Sequence, residues 1–498
     1  MDYKKLQNGS DIRGISLPGA NGEEPNLTET ECRRLTLAFL RRLSEKTGAP
    51  YNALTVSIGH DSRITGPALK DTAADAMASC GAKVLDCGLA STPAMFMSTI
   101  FPGYGCDGAI MITASHLPYN RNGFKYFDKS GGLNKEDISE IISYAEAGET
   151  PEPEGKGTVI TADLMAAYCD FLKAKIKDGV SSVNFDKPLA GLKIIVDAGN
   201  GAGGFFADDV LAPLGAGVSG SLYLKPDGTF PNHAPNPEDS RALKDISAAV
   251  LAYGADFGLI FDADVDRCAA VDARGREISR NGIVAMAAAL IAEEHPGTTV
   301  VTDSITSDQL TDFLVKRLGL KHHRFKRGYR NVINEAIRLN NEGTDCQLAI
   351  ETSGHAAFKE NFFLDDGAYL AAKMVIAAAK LAADDKTLDS LVSELEAPAE
   401  AKEIRLPIKS DDFGRVADEI LKRLREFVSA QPGMRIVQPN YEGIRISFDK
   451  EHGDGWCLLR KSLHDPLMPL NIESNVKGGC DRILQLLEPV LHQFADQV

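Results

Sequence analysis

Residues 108–125 read Gly-Ala-Ile-Met-Ile-Thr-Ala-Ser-His-Leu-Pro-Tyr-Asn-Arg-Asn-Gly-Phe-Lys, and this stretch is the starting point for predicting the fold. Residues 109–112 are apolar and have the length and composition of a buried β-strand. The prolines, asparagines and glycine at residues 118–123 predict an irregular loop after it. Ser115 therefore follows the end of a strand, at the sheet edge where open α/β folds bind their ligands.

The sequence before this stretch alternates between predicted strands and helices. Short apolar segments at 54–58 and 83–87 are typical of strands, and periodic segments at 28–46 and 67–80 are typical of helices. This alternation predicts a mainly parallel sheet covered by helices.

Two later units end in the same way, with a polar loop after an apolar strand. The strand at 257–261 leads into Asp262-Ala-Asp-Val-Asp-Arg, and the strand at 347–350 leads into Glu351-Thr-Ser-Gly-His. Three successive units of this kind indicate a repeated α/β module. A glycine-rich turn at 198–204 lacks the G-x-G-x-x-G spacing of a nucleotide site, so we interpret it as a tight strand-to-helix turn.

The last hundred residues differ from the rest of the chain in the pattern of their predicted strands and helices. A charged helix at 411–427 and a glycine-rich hairpin at 441–460 predict a small α+β domain. With 498 residues the chain is too long for one hydrophobic core. We predict four domains, with boundaries at 1–180, 181–295, 296–398 and 399–498.

The composition excludes several classes of protein. Hydrophobic residues make up 44% and charged residues 25%, no apolar run reaches the roughly 20 residues of a membrane helix, and the amino terminus lacks the apolar core of a signal peptide. We therefore expect a cytoplasmic protein with no membrane partner. Nine cysteines without a C-x-x-C pair predict reduced thiols. The net charge of −16 argues against a nucleic-acid partner and would repel a phosphorylated substrate unless cationic groups converge locally.

Three alternating aspartates, Asp262, Asp264 and Asp266, predict a metal site. Their carboxylates can converge on one cation, and oxygen ligands of this kind suit Mg²⁺. A solvated turn is the simpler interpretation, but charges beside a buried strand are costly without a metal or a partner. The same segment also resembles the Asp-x-Asp-x-Val signature of haloacid-dehalogenase phosphatases, in which Asp262 would be the nucleophile and 365–366 a distal metal pair. That alternative leaves the Ser115 and Glu351 loops without a role.

The remaining polar motifs suit a phosphorylated sugar. Arg13 is a candidate anion ligand, and Lys125 is a compact cation suited to phosphate or to proton transfer. His116 adjoins the serine, but the G-x-S-x-G elbow of serine hydrolases is missing. Glu351, Ser353 and His355 alternate and can hold sugar hydroxyls or move protons. The basic segment Arg324, Lys326, Arg327 and Arg330 is either a solvated face or a counter-charge for a dianion, and Arg460 with Ser462 is a candidate phosphate clamp.

Three motifs together resemble those of the α-D-phosphohexomutases: Thr113-Ala-Ser-His-x-Pro-x-Asn-x-Asn-Gly-x-Lys, Asp262-x-Asp-x-Asp-Arg and Glu351-Thr-Ser-Gly-His. The resemblance implies an α/β protein with three related α/β domains with mixed sheets, plus a smaller α+β C-terminal domain, around a central cleft. The third motif is similar to that of phosphomannomutase/phosphoglucomutases and phosphoglucosamine mutases, in which its Glu and Ser hold sugar hydroxyls.

The resemblance implies a phosphohexomutase that interconverts hexose 1-phosphate and hexose 6-phosphate, of mannose and/or glucose. It would work through a phosphoserine and a bisphosphorylated sugar, with Mg²⁺ as cofactor and hexose 1,6-bisphosphate as activator. On this hypothesis the metal ligands are Ser115, Asp262, Asp264 and Asp266, and the catalytic residues are Ser115, Lys125, Arg13, His116 and His355. The substrate-binding residues are Glu351, Ser353, His355, Arg267, Lys326, Arg327, Arg460 and Ser462.

Two departures from the family pattern concern the choice of substrate. The family's phosphate loop usually reads Arg-x-Ser-Gly/Asn-Thr, but here Leu463, His464 and Asp465 follow Ser462. No lysine occurs at 303–306, where many relatives with this sugar loop have one. A phosphoglucosamine mutase, a phosphosugar-binding protein without mutase activity and the aspartyl phosphatase remain alternatives, and the oligomeric state, monomer or dimer, stays open.

Overall fold

The computed structural model describes residues 2–19, 22–153, 155–410, 412–462 and 466–492. The chain divides into two compact units, one made of residues 1–293 and 347–393, the other of residues 294–346 and 394–498.

The strands and helices follow one another along both units. The strands are β1 (Gln7–Asn8), β2 (Asp11–Ile15), β3 (Thr55–His60), β4 (Lys83–Leu89), β5 (Gly108–Ile112), β6 (Arg121–Asp128), β7 (Gly131–Gly132), β8 (Thr158–Thr161), β9 (Ile194–Asp197), β10 (Phe257–Phe261), β11 (Cys268–Asp272), β12 (Glu277–Ile278), β13 (Thr299–Thr302), β14 (Lys321–Arg324), β15 (Cys346–Ile350), β16 (Ala356–Phe358), β17 (Leu364–Asp365), β18 (Glu400–Pro407), β19 (Met434–Ile436), β20 (Ile444–Phe448), β21 (Gly455–Leu459) and β22 (Leu467–Ser474). The helices are α1 (Glu29–Thr47), α2 (Gly66–Ser79), α3 (Thr92–Met97), α4 (Lys135–Ala147), α5 (Leu164–Val180), α6 (Ser240–Tyr253), α7 (Asn281–Ala292), α8 (Asp308–Asp312), α9 (Tyr329–Asn341), α10 (Gly367–Ala382), α11 (Phe413–Ser429) and α12 (Gly479–Leu491).

The first sheet of the larger unit is mixed. Its order is β1-β2-β6-β5-β3-β4-β8, with β7 beside β6. Strand β3 is parallel to β4 and β5, whereas β6 is antiparallel to both β5 and β2. The parallel arrangement predicted from the alternating segments is confirmed for β3, β4 and β5, but the complete sheet is mixed, because β6 follows β5 directly and returns antiparallel to it without a crossover helix.

The irregular loop predicted at 118–123 is also shorter than expected, because β6 begins at Arg121. Phe124 and Tyr126 are fully buried in this strand and supply the apolar face that pairs it with β5. Gly123 allows close contact with β2, since a Cβ at this position would lie 2.0 Å from the carbonyl oxygen of Ile12. Lys125 therefore lies on a buried strand, not in a loop.

Helices α1, α2 and α4 cover this sheet and bury its apolar side chains in one core. Helix α1 begins with a capping box, in which Thr28 accepts from the amide of Thr30 and its own amide donates to Glu31 at 3.0 Å. Phe39 of α1 stacks on Tyr126 of β6 with ring centroids 4.7 Å apart. The carboxyl end of β5, which leads to Ser115, therefore belongs to a sheet that is packed against this core.

Two further groups of strands in this unit lead to the other polar loops. The order of one is β12-β11-β10-β9, in which β9 and β10 are parallel and the other pairs antiparallel. Every residue of β10 is buried, up to Asp262. Strands β15, β16 and β17 pair antiparallel, and β15 ends immediately before Glu351.

The second unit contains a parallel pair, β13 and β14, and a five-stranded antiparallel sheet ordered β18-β22-β21-β20-β19. The predicted charged helix is α11, and the predicted hairpin is formed by β20 and β21. The predicted fold class, α/β domains with mixed sheets and a smaller α+β domain, is confirmed. The four domain boundaries and the central cleft stay predictions. All nine cysteines are buried, and among the described residues no helix is long and apolar enough to cross a membrane.

Candidate active site

Ser115 lies three residues beyond β5 in a left-handed backbone conformation, with φ of 48°. This region is uncommon for residues other than glycine. The side chain is buried, and its Oγ donates a hydrogen bond to Asp262 Oδ2 at 2.7 Å. The backbone amide of Ser115 donates to Thr113 Oγ1 at 2.8 Å. The structure thus brings the serine directly to the first aspartate of the predicted metal motif.

The three aspartates, Asp262, Asp264 and Asp266, form a compact buried cluster after β10. One carboxylate oxygen from each lies within 4.8 Å of the others. Asp264 Oδ1 and Asp266 Oδ1 are buried without a hydrogen-bond partner among the residues that the structure describes. Buried carboxylate oxygens are costly to leave unpaired, and Mg²⁺ prefers oxygen ligands of this kind. The donor set therefore fits a divalent cation.

Lys125 and Arg267 balance the charge of this cluster. Lys125 Nζ bonds to Asp266 and lies 3.0 Å from Asp264 Oδ2. Burial raises the pKa of Asp262 well above its usual range, and the charges of Asp266 and Asp264 add to the effect. Burial also acts on Asp266, but Lys125 and Arg267 outweigh it and hold the pKa of that carboxyl below its usual value.

Arg13 and His116 lie beside the serine. Arg13 on β2 donates to the carbonyl oxygen of Thr113 and to Asp11 Oδ2, the latter at 2.8 Å. His116 Nδ1 lies 3.4 Å from Ser115 Oγ. The nearby charge of Arg267, together with burial and Arg13, lowers the pKa of His116 to about 2. The imidazole is therefore neutral at neutral pH and holds no proton to donate as an imidazolium.

The predicted sugar loop joins the aspartate loop. His355 Nδ1 lies 2.8 Å from Ser353 Oγ, and Arg267 Nε donates to His355 Nε2 at 3.1 Å. Burial lowers the pKa of His355 well below its usual value, and Arg267 and Lys125 lower it further. Glu351 Oε2 lies 3.7 Å from His355 Nδ1. Carboxylate, hydroxyl and imidazole therefore lie together beside the aspartates.

The other predicted substrate ligands belong to the second unit. Arg460 is buried just after β21, and its Nη1 lies 4.0 Å from Glu442 Oε1. The amide of Arg327 donates to Glu442 Oε2 at 3.1 Å, so the two arginines share one carboxylate. Lys326 is exposed, and the amide of Ser462 donates to Leu467 O at 3.0 Å. Leu463, His464 and Asp465 lie outside the described residues.

Reasoning from the sequence missed Thr92 and Glu442, and it considered Asp365 only as part of the distal metal pair of the phosphatase alternative. Thr92 begins α3 and donates through its amide to Asp264 O at 2.8 Å and through Oγ1 to Asp264 Oδ2 at 2.5 Å. Asp365 Oδ2 lies 3.6 Å from His355 Nε2, and neither of its oxygens accepts a hydrogen bond within the described part of the chain. The Asp-Asp pair at 365–366 was visible in the sequence, but no local signal marks Thr92 or Glu442.

Gly201, in the glycine-rich turn after β9, supports the aspartate loop. The neighbouring amide of Ala202 donates to Ala263 O at 2.8 Å, and a Cβ on Gly201 would lie 2.6 Å from Ala263 Cα. We expect Gly201→Ala to destabilise the protein by about 1–3 kcal/mol through overpacking and to weaken Mg²⁺ binding. Thermal denaturation and metal titration measure both effects.

Gly282→Ala is the matched control. Gly282 lies in α7, and an added Cβ there would have Ile278 Cγ2 as its nearest atom, at 3.7 Å. This variant should keep wild-type metal affinity. Wild-type stability and metal affinity in Gly201→Ala would contradict the prediction.

The fold and this site define a class of protein: α/β proteins in which a buried serine at a strand end contacts a cluster of buried aspartates balanced by lysine and arginine. Comparison with known proteins gives the family. Models of phosphoglucomutase/phosphomannomutase alpha/beta/alpha domains I, II and III match residues 4–152, 166–275 and 279–398. The chain therefore belongs to the phosphoglucomutase/phosphomannomutase family, and the recognition made from its motifs is confirmed.

Relatives cover most of the chain. A phosphoglucomutase/phosphomannomutase of Thermococcus kodakarensis is 32% identical over 86% of this chain and 88% of its own length. A phosphomannomutase/phosphoglucomutase of Pseudomonas aeruginosa is 30% identical over 86% and 85%. A solved structure of a family member from Burkholderia thailandensis has a TM-score of 0.80 at 24% identity, covering 99% of this chain and 98% of its own. This last likeness concerns the fold alone.

Proposed function

We propose that this protein is a phosphohexomutase that interconverts hexose 1-phosphate and hexose 6-phosphate, with mannose and/or glucose as the sugar. The observation that carries the proposal is the contact of Ser115 Oγ with Asp262 Oδ2 at 2.7 Å, inside a cluster that also contains Lys125. A serine placed in this way can carry a phosphoryl group beside a metal site. The names of the similar enzymes support the same reaction.

In this reaction Ser115 carries a phosphoryl group of about −1.5 to −2 charge at neutral pH. A sugar hydroxyl attacks the phosphorus, so that the new O–P bond forms as the bond to Ser115 Oγ breaks. Ser115 Oγ leaves as a hydroxyl, with the proton that the attacking sugar hydroxyl loses. The bisphosphorylated sugar then reorients, and Ser115 Oγ attacks the phosphorus of the other phosphate. The bond from that phosphorus to the sugar oxygen breaks, and the sugar oxygen gains the proton of the serine hydroxyl. Lys125 and Arg267 balance the charge of the transferring group, and Arg13 holds the serine segment through Thr113 O.

Ser115, Asp262, Asp264 and Asp266 would hold Mg²⁺, which when bound neutralises negative charge on the transferring phosphoryl group. The attacking hydroxyl must lose a proton, and the candidate carriers are Lys125, His355 and Glu351. The two imidazoles are weaker proton acceptors than an ordinary histidine, because the pKa of His116 is lowered to about 2 and the pKa of His355 also lies well below its usual value.

Glu351, Ser353 and His355 would hold the sugar hydroxyls. The cations Lys326, Arg327 and Arg460, with the Ser462 hydroxyl, would bind the phosphate that is not being transferred. We further propose a cytoplasmic enzyme, activated by hexose 1,6-bisphosphate, that binds a small phosphosugar and has no nucleic-acid or membrane partner.

Intact-mass measurement tests the phosphoserine. After incubation with Mg²⁺ and glucose 1,6-bisphosphate, the protein should gain one phosphoryl group that maps to Ser115. It should then convert glucose 1-phosphate or mannose 1-phosphate to the 6-phosphate. Absence of both the added mass and the turnover would overturn the proposal.

A phosphosugar-binding protein without mutase activity is the second candidate. It is favoured by Leu463, His464 and Asp465, which replace the part of the family's phosphate loop that follows Ser462. Tight binding of a hexose phosphate without turnover would support it. Glucosamine 1-phosphate belongs in the same assay, because preferential turnover of that substrate would indicate a phosphoglucosamine mutase.

A further inference from the structure

Arg63 follows β3 and is almost completely buried, with 1% of its surface exposed. Its guanidinium donates to four backbone carbonyl oxygens, three in the segment that joins β5 to β6 and one on the first residue of β6. These are Ser115 O at 2.5 Å, Leu117 O at 2.6 Å, Pro118 O at 2.7 Å and Arg121 O at 2.9 Å. One side chain therefore determines the direction of most of the loop that carries the serine.

Asp61 holds the guanidinium in place. Arg63 Nε donates to Asp61 Oδ2 at 3.2 Å, so all five N–H donors of the guanidinium have acceptors. Thr113 Oγ1 donates to the same carboxylate oxygen at 2.7 Å and accepts from the amide of Ser115. Arg63 therefore contacts Ser115 by two routes. It donates directly to the carbonyl oxygen of Ser115, and it is linked to the amide of Ser115 through Asp61 and Thr113.

The Ser115 backbone requires such support. A residue in the left-handed region at φ 48° persists only when the surrounding contacts determine its conformation. The carbonyl oxygens that Arg63 pairs belong to a buried, irregular segment, and unpaired backbone groups in such a segment are costly. A lysine at this position has three donors on one atom and cannot reproduce the fork of the guanidinium.

A loop between β9 and α6 covers the guanidinium. The ring of Phe230 lies 5.1 Å from the guanidinium carbon of Arg63, within the distance of a cation–π contact. Gly228 packs on the backbone beside it, since a Cβ there would lie 2.5 Å from Ser62 O and Ile64 N. Arg63 is therefore fixed on both sides, by the serine segment and by this loop.

We propose that Arg63 is the positioning residue that holds Ser115 in the conformation from which it exchanges phosphoryl groups. The inference rests on the function proposed above and adds a residue that touches neither the phosphoryl group nor the sugar. Its effect passes through the backbone, which places Ser115 Oγ 2.7 Å from Asp262. A displacement of about 1 Å at a reacting group lowers the rate by about 10²-fold.

Arg63→Lys tests this inference, because it keeps the charge beside Asp61 and removes the fork. We expect kcat to fall by about 100-fold with KM for the hexose phosphate within about 3-fold of wild type. Amide hydrogen exchange at 113–121 should become faster. The matched control is Arg42→Lys. Arg42 is also a buried arginine, on helix α1 that covers the same sheet, and it pairs with Glu140 at 3.0 Å and with Asp137. The control should keep wild-type kcat and wild-type exchange at 113–121.

Wild-type exchange at 113–121 in Arg63→Lys overturns the inference whatever the activity, and so does faster exchange with undiminished kcat. If Arg63→Lys does not fold, Asp61→Asn/Arg63→Gln removes both charges together and should show the same loss of kcat and the same faster exchange. Failure of the proposed function is a separate result, because it is an absence of phosphoserine and turnover in the wild-type protein.

Discussion

Ser115→Ala is expected to lower kcat for hexose phosphate interconversion by at least about 10⁴-fold, because the variant has no oxygen to carry the phosphoryl group. The intact mass should no longer increase after incubation with glucose 1,6-bisphosphate. Binding of the hexose phosphate should persist, since the cations and the sugar loop remain. A coupled assay for the 6-phosphate measures the rate, and calorimetry measures binding.

Ser57→Ala is the matched control for this loss. Ser57 is also a buried serine of the first sheet, with its Oγ 2.6 Å from Ser98 Oγ, but it pairs with Ala109 at the opposite end of β5. The Ser57→Ala variant should be somewhat less stable than wild type and should still form the phosphoserine. Equal activity in wild type and Ser115→Ala would contradict the phosphoserine scheme. The aspartyl phosphatase alternative instead predicts that Ser115→Ala keeps wild-type phosphate release.

Asp262→Asn is expected to affect activity and stability in opposite directions. Loss of one carboxylate should lower kcat by about 10³-fold, because the site then neutralises less transition-state charge. Burial beside Asp266 and Asp264 raises the pKa of Asp262, which means that its charge is unfavourable in the metal-free protein. The variant should therefore melt about 2–4 °C higher in EDTA, the shift that roughly 1 kcal/mol produces in a domain of about 150–250 residues.

Mg²⁺ should reverse this order of stability. A ligand that binds the folded state raises the melting temperature, so millimolar Mg²⁺ should stabilise the wild type and leave Asp262→Asn nearly unchanged. Asp272→Asn is the control, since Asp272 is a buried aspartate paired with Phe257 at the far end of β10. It should keep its response to Mg²⁺. If Mg²⁺ does not change the melting temperature of the wild-type protein, the proposed metal site is wrong.

The local sequence predicted most of the elements that carry the site. Apolar runs followed by polar residues correctly located the ends of β5, β10 and β15, because burial on both faces of a strand leaves a continuous apolar segment. The same reasoning failed at β6. Asn122 and Gly123 are typical loop residues, but pairing with β5 and β2 and the burial of Phe124 outweigh their local preference.

By itself, the sequence determined the chemical identity of the candidate site: a serine, three aspartates and a carboxylate–hydroxyl–imidazole triplet that follow strand ends, together with a set of cations. Only the tertiary structure decided which of these groups touch, and it added partners that no motif marks. Thr92 binds Asp264 across 172 residues, and Arg63 binds the Ser115 segment across 52. Local periodicity reports which face of an element is buried, but contacts between distant segments depend on how the sheets and loops pack, and this packing holds Ser115 against Asp262.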